Sequence, residues 1–153
     1  MFPTGTWANA NPKLISAMRR DGHIIDNHTW THANLTGISN KAVLTQIDRG
    51  SKPSTSAKLL RPPGGAGVFT PRLTSLAASR GYNLCYWTVT TGDSAGASVS
   101  TIVNRVRYGD SGSPPVQAGG VVLMHFQGKN TGRALQSVIN TIRAKGLKLQ
   151  PLR

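Results

Sequence analysis

The chain has 153 residues, 38% of them hydrophobic and 15% charged, and a single cysteine, Cys85. It is long enough to bury one domain-sized core and too apolar for a disordered polyelectrolyte, and it can form neither an intramolecular disulfide nor a cysteine zinc cluster. Lys and Arg outnumber the acids by 18 to 5, a net charge of +13, and all five acids are aspartates: Asp21, Asp26, Asp48, Asp93 and Asp110. Apolar spacing and capping residues predict alternating helices and strands. Asn11-Pro12 opens a helix with Leu14, Ile15 and Met18 on one face and Gly22 as its stop. Residues 23–27 form a strand. Ser39 caps a helix carrying Val43, Leu44 and Ile47 and ended by Gly50, and residues 51–56 are loop. Residues 58–61 form a strand that runs into a Pro62-Pro63-Gly64-Gly65 turn. Thr70-Pro71 starts a helix with Leu73, Leu76 and Ala77 inward, stopped by Gly81. Residues 82–90 are β-rich, residues 98–107 helical and residues 108–118 a loop. Residues 120–125 make the most apolar strand. A helix over 131–145 shows Leu135, Val138, Ile139 and Ile142 on one face, Gly146 follows it, and residues 147–149 close as a strand.

The alternation predicts an α/β architecture with parallel strands, a single domain over residues 1–153. His28, Arg61, Asp93 and His125 each fall just past the carboxyl end of a predicted strand, and in a β/α barrel those ends share the face where sites are built. The longest apolar run, residues 121–124, is far short of a membrane span. No basic stretch followed by an apolar run opens these residues, so no signal peptide is expected within them. The basic residues are scattered, without an aromatic interleave, so nucleic acid is not the expected partner.

Three segments carry chemistry. In Asn27-His28-Thr29-Trp30-Thr31-His32, two histidines at i and i+4 would lie on one face of a helical turn, close enough to hold one metal. In Arg61-Pro62-Pro63-Gly64-Gly65, a rigid turn fixes an arginine able to pair with a carboxylate, and the glycines let backbone N–H groups approach a ligand. In Leu123-Met124-His125, a histidine at a strand end is placed to act as a general acid. Taken singly, each has a plainer reading: a polar surface turn, a solvated arginine, a satisfied core histidine.

In this order and on this scaffold, the three segments resemble the polysaccharide deacetylase family of carbohydrate esterases, with its N-H-(S/T)-x-x-H, R-x-P-(Y/F)-G and L-x-H motifs. Phe2-Pro3-Thr4-Gly5, Gly22-His23-Ile24-Ile25 and residues 131–149 are also similar to family text. The resemblance implies an incomplete, distorted β/α barrel that removes N- or O-acetyl groups from an acetylated polysaccharide such as chitin, peptidoglycan or xylan, secreted or at the cell surface. It implies a divalent metal, zinc before others, held by His28 and His32. His125 would be the general acid, Arg61 and Asp93 further members of the catalytic set, and Pro63, Gly64 and Leu123 substrate-binding residues. The family's Asp-Asp motif, which supplies the base and a third metal ligand, has no counterpart in these 153 residues. The chain thus reads as beginning at the family's second strand, with impaired activity and self-association through the missing-strand edge as expectations. Asp26, two residues before His28, is a stand-in ligand that strand geometry disfavours. In the segment Thr90-Thr91-Gly92-Asp93-Ser94, Thr90 and Ser94 stand where the family pattern has an acid and a tryptophan. The competing expectation is an inactive carbohydrate-binding remnant using Trp7, Trp30, Tyr86 and Trp87 as stacking faces.

Overall fold

The computed structural model describes residues 1–50 and 58–152, so the expected loop at 51–56 lies outside the described residues. The chain divides into two compact units, Met1–Cys85, joined by the last residues of the chain, and Tyr86–Gln150.

In the first unit, α1 (Gly5–Ala10) and α2 (Pro12–Arg20) precede α3 (Asn40–Gly50), β1 (Leu59–Leu60), α4 (Pro71–Ala78) and β2 (Asn83–Leu84). Helices α1 and α4 begin where side-chain oxygens take up otherwise orphaned N–H groups: Thr4 accepts from Trp7, and Thr70 accepts from Leu73 ahead of Pro71. Strands β1 and β2 pair in parallel, and Asn27 adds a single parallel bridge to Leu60. Val43 and Ile47 of α3, Leu60 of β1 and Leu73 and Ala77 of α4 close one core. Ala8, Ile15 and Ile25 form a second, smaller one.

In the second unit, β3 (Val89–Thr90) pairs in parallel with β4 (Val122–Leu123), and α5 (Val99–Tyr108) packs on α6 (Thr131–Ala144). Val89, Ile102, Val106, Ala134, Val138 and Ile142 form its core. The architecture is therefore α/β with parallel strand pairs.

Two expected strands are absent. Residues 147–149 are not a strand because the Leu147 N–H is spent on the Ile142 carbonyl, closing the end of α6 behind Gly146 at φ +73°. Residues 23–27 are reduced to the bridge at Asn27, and the His23 N–H returns to the Met18 carbonyl in the same way.

Candidate functional site

In the first unit the site begins at Asn27, which is fully buried. Its backbone N–H donates to the Leu59 carbonyl and its carbonyl accepts from Arg61 N. Its side-chain Nδ2 donates to the Ile47 carbonyl at 2.9 Å, and its Oδ1 accepts from Thr29 N at 2.8 Å. One asparagine therefore ties the histidine segment both to the arginine segment and to α3. The fit needs glycine at the end of α3: a Cβ on Gly50 would stand 2.4 Å from Asn27 Oδ1 and 2.6 Å from the Thr29 carbonyl carbon.

The expected helical turn over residues 28–32 does not form. Thr29 and His32 both adopt the left-handed region, at φ 66° and 62°, so the chain doubles back as a tight loop. The loop still brings the rings of His28 and His32 together, edge to face, with centroids 4.9 Å apart. The His28 Nδ1 lies 2.6 Å from the Arg61 carbonyl oxygen. A carbonyl can only accept, so Nδ1 carries the proton and the neutral ring has its lone pair on Nε2.

Two imidazoles, one of them oriented through its other nitrogen by a carbonyl, are the donor chemistry of a borderline metal such as zinc. The pair thus fits part of a metal set. Among the described residues, no third His, Cys, Asp or Glu joins it. Asp26 does not serve: it is buried and accepts from Leu59 N at 3.3 Å. Burial raises its pKa above the ordinary carboxylate value, against the opposing pull of that hydrogen bond.

His32, Pro63 and Gly64 line one cleft of about 420 Å³, together with Asn34, Thr36 and Val68. Arg61 is buried. Its guanidinium carbon lies 4.2 Å from the centre of the Phe2 ring, and its Nη2 is 3.5 Å from Cys85 Sγ.

In the second unit, Asp93 is 1% exposed and accepts five hydrogen bonds. Oδ1 takes His125 Nδ1 at 2.9 Å, Ser94 N at 2.9 Å and the Thr91 hydroxyl at 3.1 Å. Oδ2 takes His125 N and the Thr131 hydroxyl, each at 2.6 Å. Burial alone would raise the pKa of this carboxyl, but the hydrogen bonds from Thr131 and His125 outweigh it and hold the group below the usual carboxylate range. A carboxylate that stays ionised holds the His125 ring in place through Nδ1. Leu123 is buried on β4, and its carbonyl accepts from the Thr91 hydroxyl at 2.9 Å.

The sequence model of the polysaccharide deacetylase family matches residues 1–85, which hold the His28–His32 pair and the Arg61 turn. The chain belongs to the polysaccharide deacetylase family. It is similar to a family 4 carbohydrate esterase from Streptomyces lividans solved in complex with acetate: 30% identical, TM-score 0.84, over 96% of this chain and 74% of that one. It is 28% identical to a peptidoglycan-N-acetylglucosamine deacetylase of Bacillus cereus, over 99% of this chain and 55% of that protein. It also shares the fold of a family 4 pseudoenzyme from Bacillus anthracis, at 22% identity and TM-score 0.82, over 96% of this chain and 51% of that one. The chain spans about half the length of the first curated relatives it matches, 57%, 45% and 55% of them.

The polysaccharide deacetylase motifs name the histidines and the arginine but not what holds them. Asn27 is visible only as the first letter of a motif, and no signal marks its buried amide as the joint. The motif pattern picks out Asp93 and His125 without pairing them. Thr91 and Thr131 look like ordinary polar residues, and only their distances to the Asp93 carboxylate reveal them. Three of the four expected stacking faces already have a partner within the chain. A guanidinium carbon of Arg49 stands 4.2 Å from the centre of the Trp30 ring, and Tyr86 and Trp87 stack on each other at 4.7 Å.

Proposed function

We propose that this chain carries the working parts of a metal-dependent deacetylase acting on acetylated polysaccharide, on a scaffold that is an incomplete β/α barrel. The observation that supports it most is the His28–His32 pair with His28 Nδ1 committed to a backbone carbonyl. In this reading His28, through Nε2, and His32 hold a divalent metal, zinc before others. When bound, the metal supplies Lewis acidity toward an acetyl carbonyl and toward water. The backbone N–H of Gly64, on the cleft beside His32, serves as a donor for developing negative charge on the acetyl oxygen, with Pro63 shaping the wall. His125 delivers a proton from Nε2 to the leaving amine or alcohol while Asp93 holds Nδ1 and compensates the charge of the protonated ring. Leu123 contributes an apolar surface for the acetyl methyl, and the buried Arg61 fixes the turn that carries Pro63 and Gly64. Relatives named peptidoglycan-N-acetylglucosamine and chitooligosaccharide deacetylases support acetylated glycans as substrates, and secretion or a cell-surface location belongs to the same reading. Among the described residues no helix is long and apolar enough to cross a membrane.

A second reading has its own observation. The 153 residues contain no Asp-Asp pair, and the two histidines lack a third ligand among the described residues. On that ground a chain of these residues alone binds acetylated glycan without hydrolysing it, or hydrolyses it slowly. The deciding experiment loads the purified chain with zinc and follows acetate release from an N-acetylated chitooligosaccharide, alongside glycan binding. Acetate release that disappears in His125→Ala supports the enzyme. Binding without acetate selects the second reading, and neither binding nor acetate defeats both.

A further inference from the structure

Gln46, half-buried in the second half of α3, lies 14 residues beyond the histidine motif and belongs to none of the segments that suggested chemistry. Its Oε1 accepts from Trp30 N at 3.1 Å and from Thr31 N at 3.0 Å. Its Nε2 donates to the Thr31 hydroxyl at 3.0 Å. One planar amide therefore engages three groups on two consecutive residues, and those two residues lie midway between His28 and His32.

The loop has reason to need this hold. Thr29 and His32 occupy a backbone region that residues with a Cβ enter only at a cost, so the turn persists where its surroundings over-determine it. The carbonyls of the turn are held from one side: Thr29 O accepts from Gly5 N at 2.9 Å, and Trp30 O from Thr6 N at 3.0 Å. The N–H groups are held from the other side by Gln46. The His28 ring has its own anchor in the Arg61 carbonyl. For His32, which is exposed, the nearest hydrogen bonds along the chain are those Gln46 makes to Thr31.

We infer that Gln46 is a positioning residue for the metal pair: its side-chain amide clamps the loop so that His32 meets His28 at ligand distance. The inference rests on reading the two histidines as metal ligands, and its mechanism is pre-organisation, the same role outer partners of metal-binding histidines perform.

The test titrates the chain with zinc chloride by calorimetry and measures amide hydrogen exchange by NMR without metal. The variants are Gln46→Ala, Gln46→Glu and His32→Ala. Alanine preserves the helix while removing all three bonds. Glutamate keeps an acceptor for both N–H groups, and the Thr31 hydroxyl can turn to donate to it. Expected are a loss of zinc affinity of about 10- to 100-fold in Gln46→Ala, faster exchange at Trp30 and Thr31, and recovery of both in Gln46→Glu. Wild-type zinc affinity in Gln46→Ala overturns the proposal. So does equal loss in the alanine and glutamate variants with unaltered exchange, since that pattern belongs to a general effect on α3. Zinc affinity unchanged by His32→Ala overturns the metal-pair reading itself, and with it any role of Gln46 toward a metal. In that case the exchange rates at Trp30 and Thr31 still report whether the clamp exists.

Discussion

His28 in the first unit and His125 in the second are held by the same nitrogen against different partners. His28 Nδ1 meets a neutral backbone carbonyl at 2.6 Å, and His125 Nδ1 meets the Asp93 carboxylate at 2.9 Å. Each contact fixes the ring through Nδ1. The first sets a backbone dipole behind the ring and the second sets a carboxylate there. On the proposed reading, the ring held by a carbonyl is the one that offers a lone pair to a metal, and the ring held by a carboxylate is the one that transfers a proton.

The largest effect should come from separating the two roles. His28→Ala is expected to lower zinc affinity by more than the roughly 100-fold that loss of an outer partner produces, while His125→Ala leaves it unchanged. Equal losses by calorimetric titration would break the comparison. The second effect concerns the carboxylate. In Asp93→Asn the amide NH2 must face at least one of the N–H or O–H donors that now converge on Asp93, which is expected to cost about 1–3 kcal/mol at pH 7 by urea unfolding. Its pH dependence sharpens the point. The folded pKa of Asp93 is depressed, so its contribution is present above the unfolded value of about 3.9 and is lost as pH falls through the lower folded one. The gap between wild type and variant should therefore narrow in acid.

The smallest effect is expected at Asp26, as buried as Asp93 and shifted in the opposite direction. Its raised folded pKa means that it favours folding most below the unfolded value, and that this contribution falls as pH rises through the folded one. Asp26→Asn keeps an acceptor for Leu59 N and removes a buried charge. At pH 7 it should leave stability unchanged or raise it by about 1 kcal/mol or less, with any gain vanishing in acid. A large loss at pH 7 would show that the ionised group has a role of its own.

Among the described residues five of the six α-helices are legible because their ends are local chemistry; α1, capped by Thr4, is not among the expected elements. Thr70-Pro71, Ser98 and Gly146 announce a start or a stop within one turn. The strands were less so: a ladder needs a neighbour that periodicity does not name, and each named strand is two residues long. The i, i+4 spacing of the histidines was read as helical, whereas Gly50 and Asn27 shape a left-handed loop instead. The site shows the same division. His28, His32, Arg61, Asp93 and His125 are readable as motif positions. The Asp93–His125 pair, 32 residues apart in sequence, and the Thr131 hydroxyl behind it exist only once the chain has folded.

Arg61 serves the site twice, and the two services differ in kind. Its guanidinium is a property of arginine, whereas the N–H it gives to Asn27 and the carbonyl it offers to His28 belong to any residue that keeps the backbone in place. A side-chain exchange at this position interrogates only the first. The orienting oxygen is encoded in the path of the main chain, so it is shielded from point mutation and reachable only by altering the backbone itself, as an ester in place of the amide would.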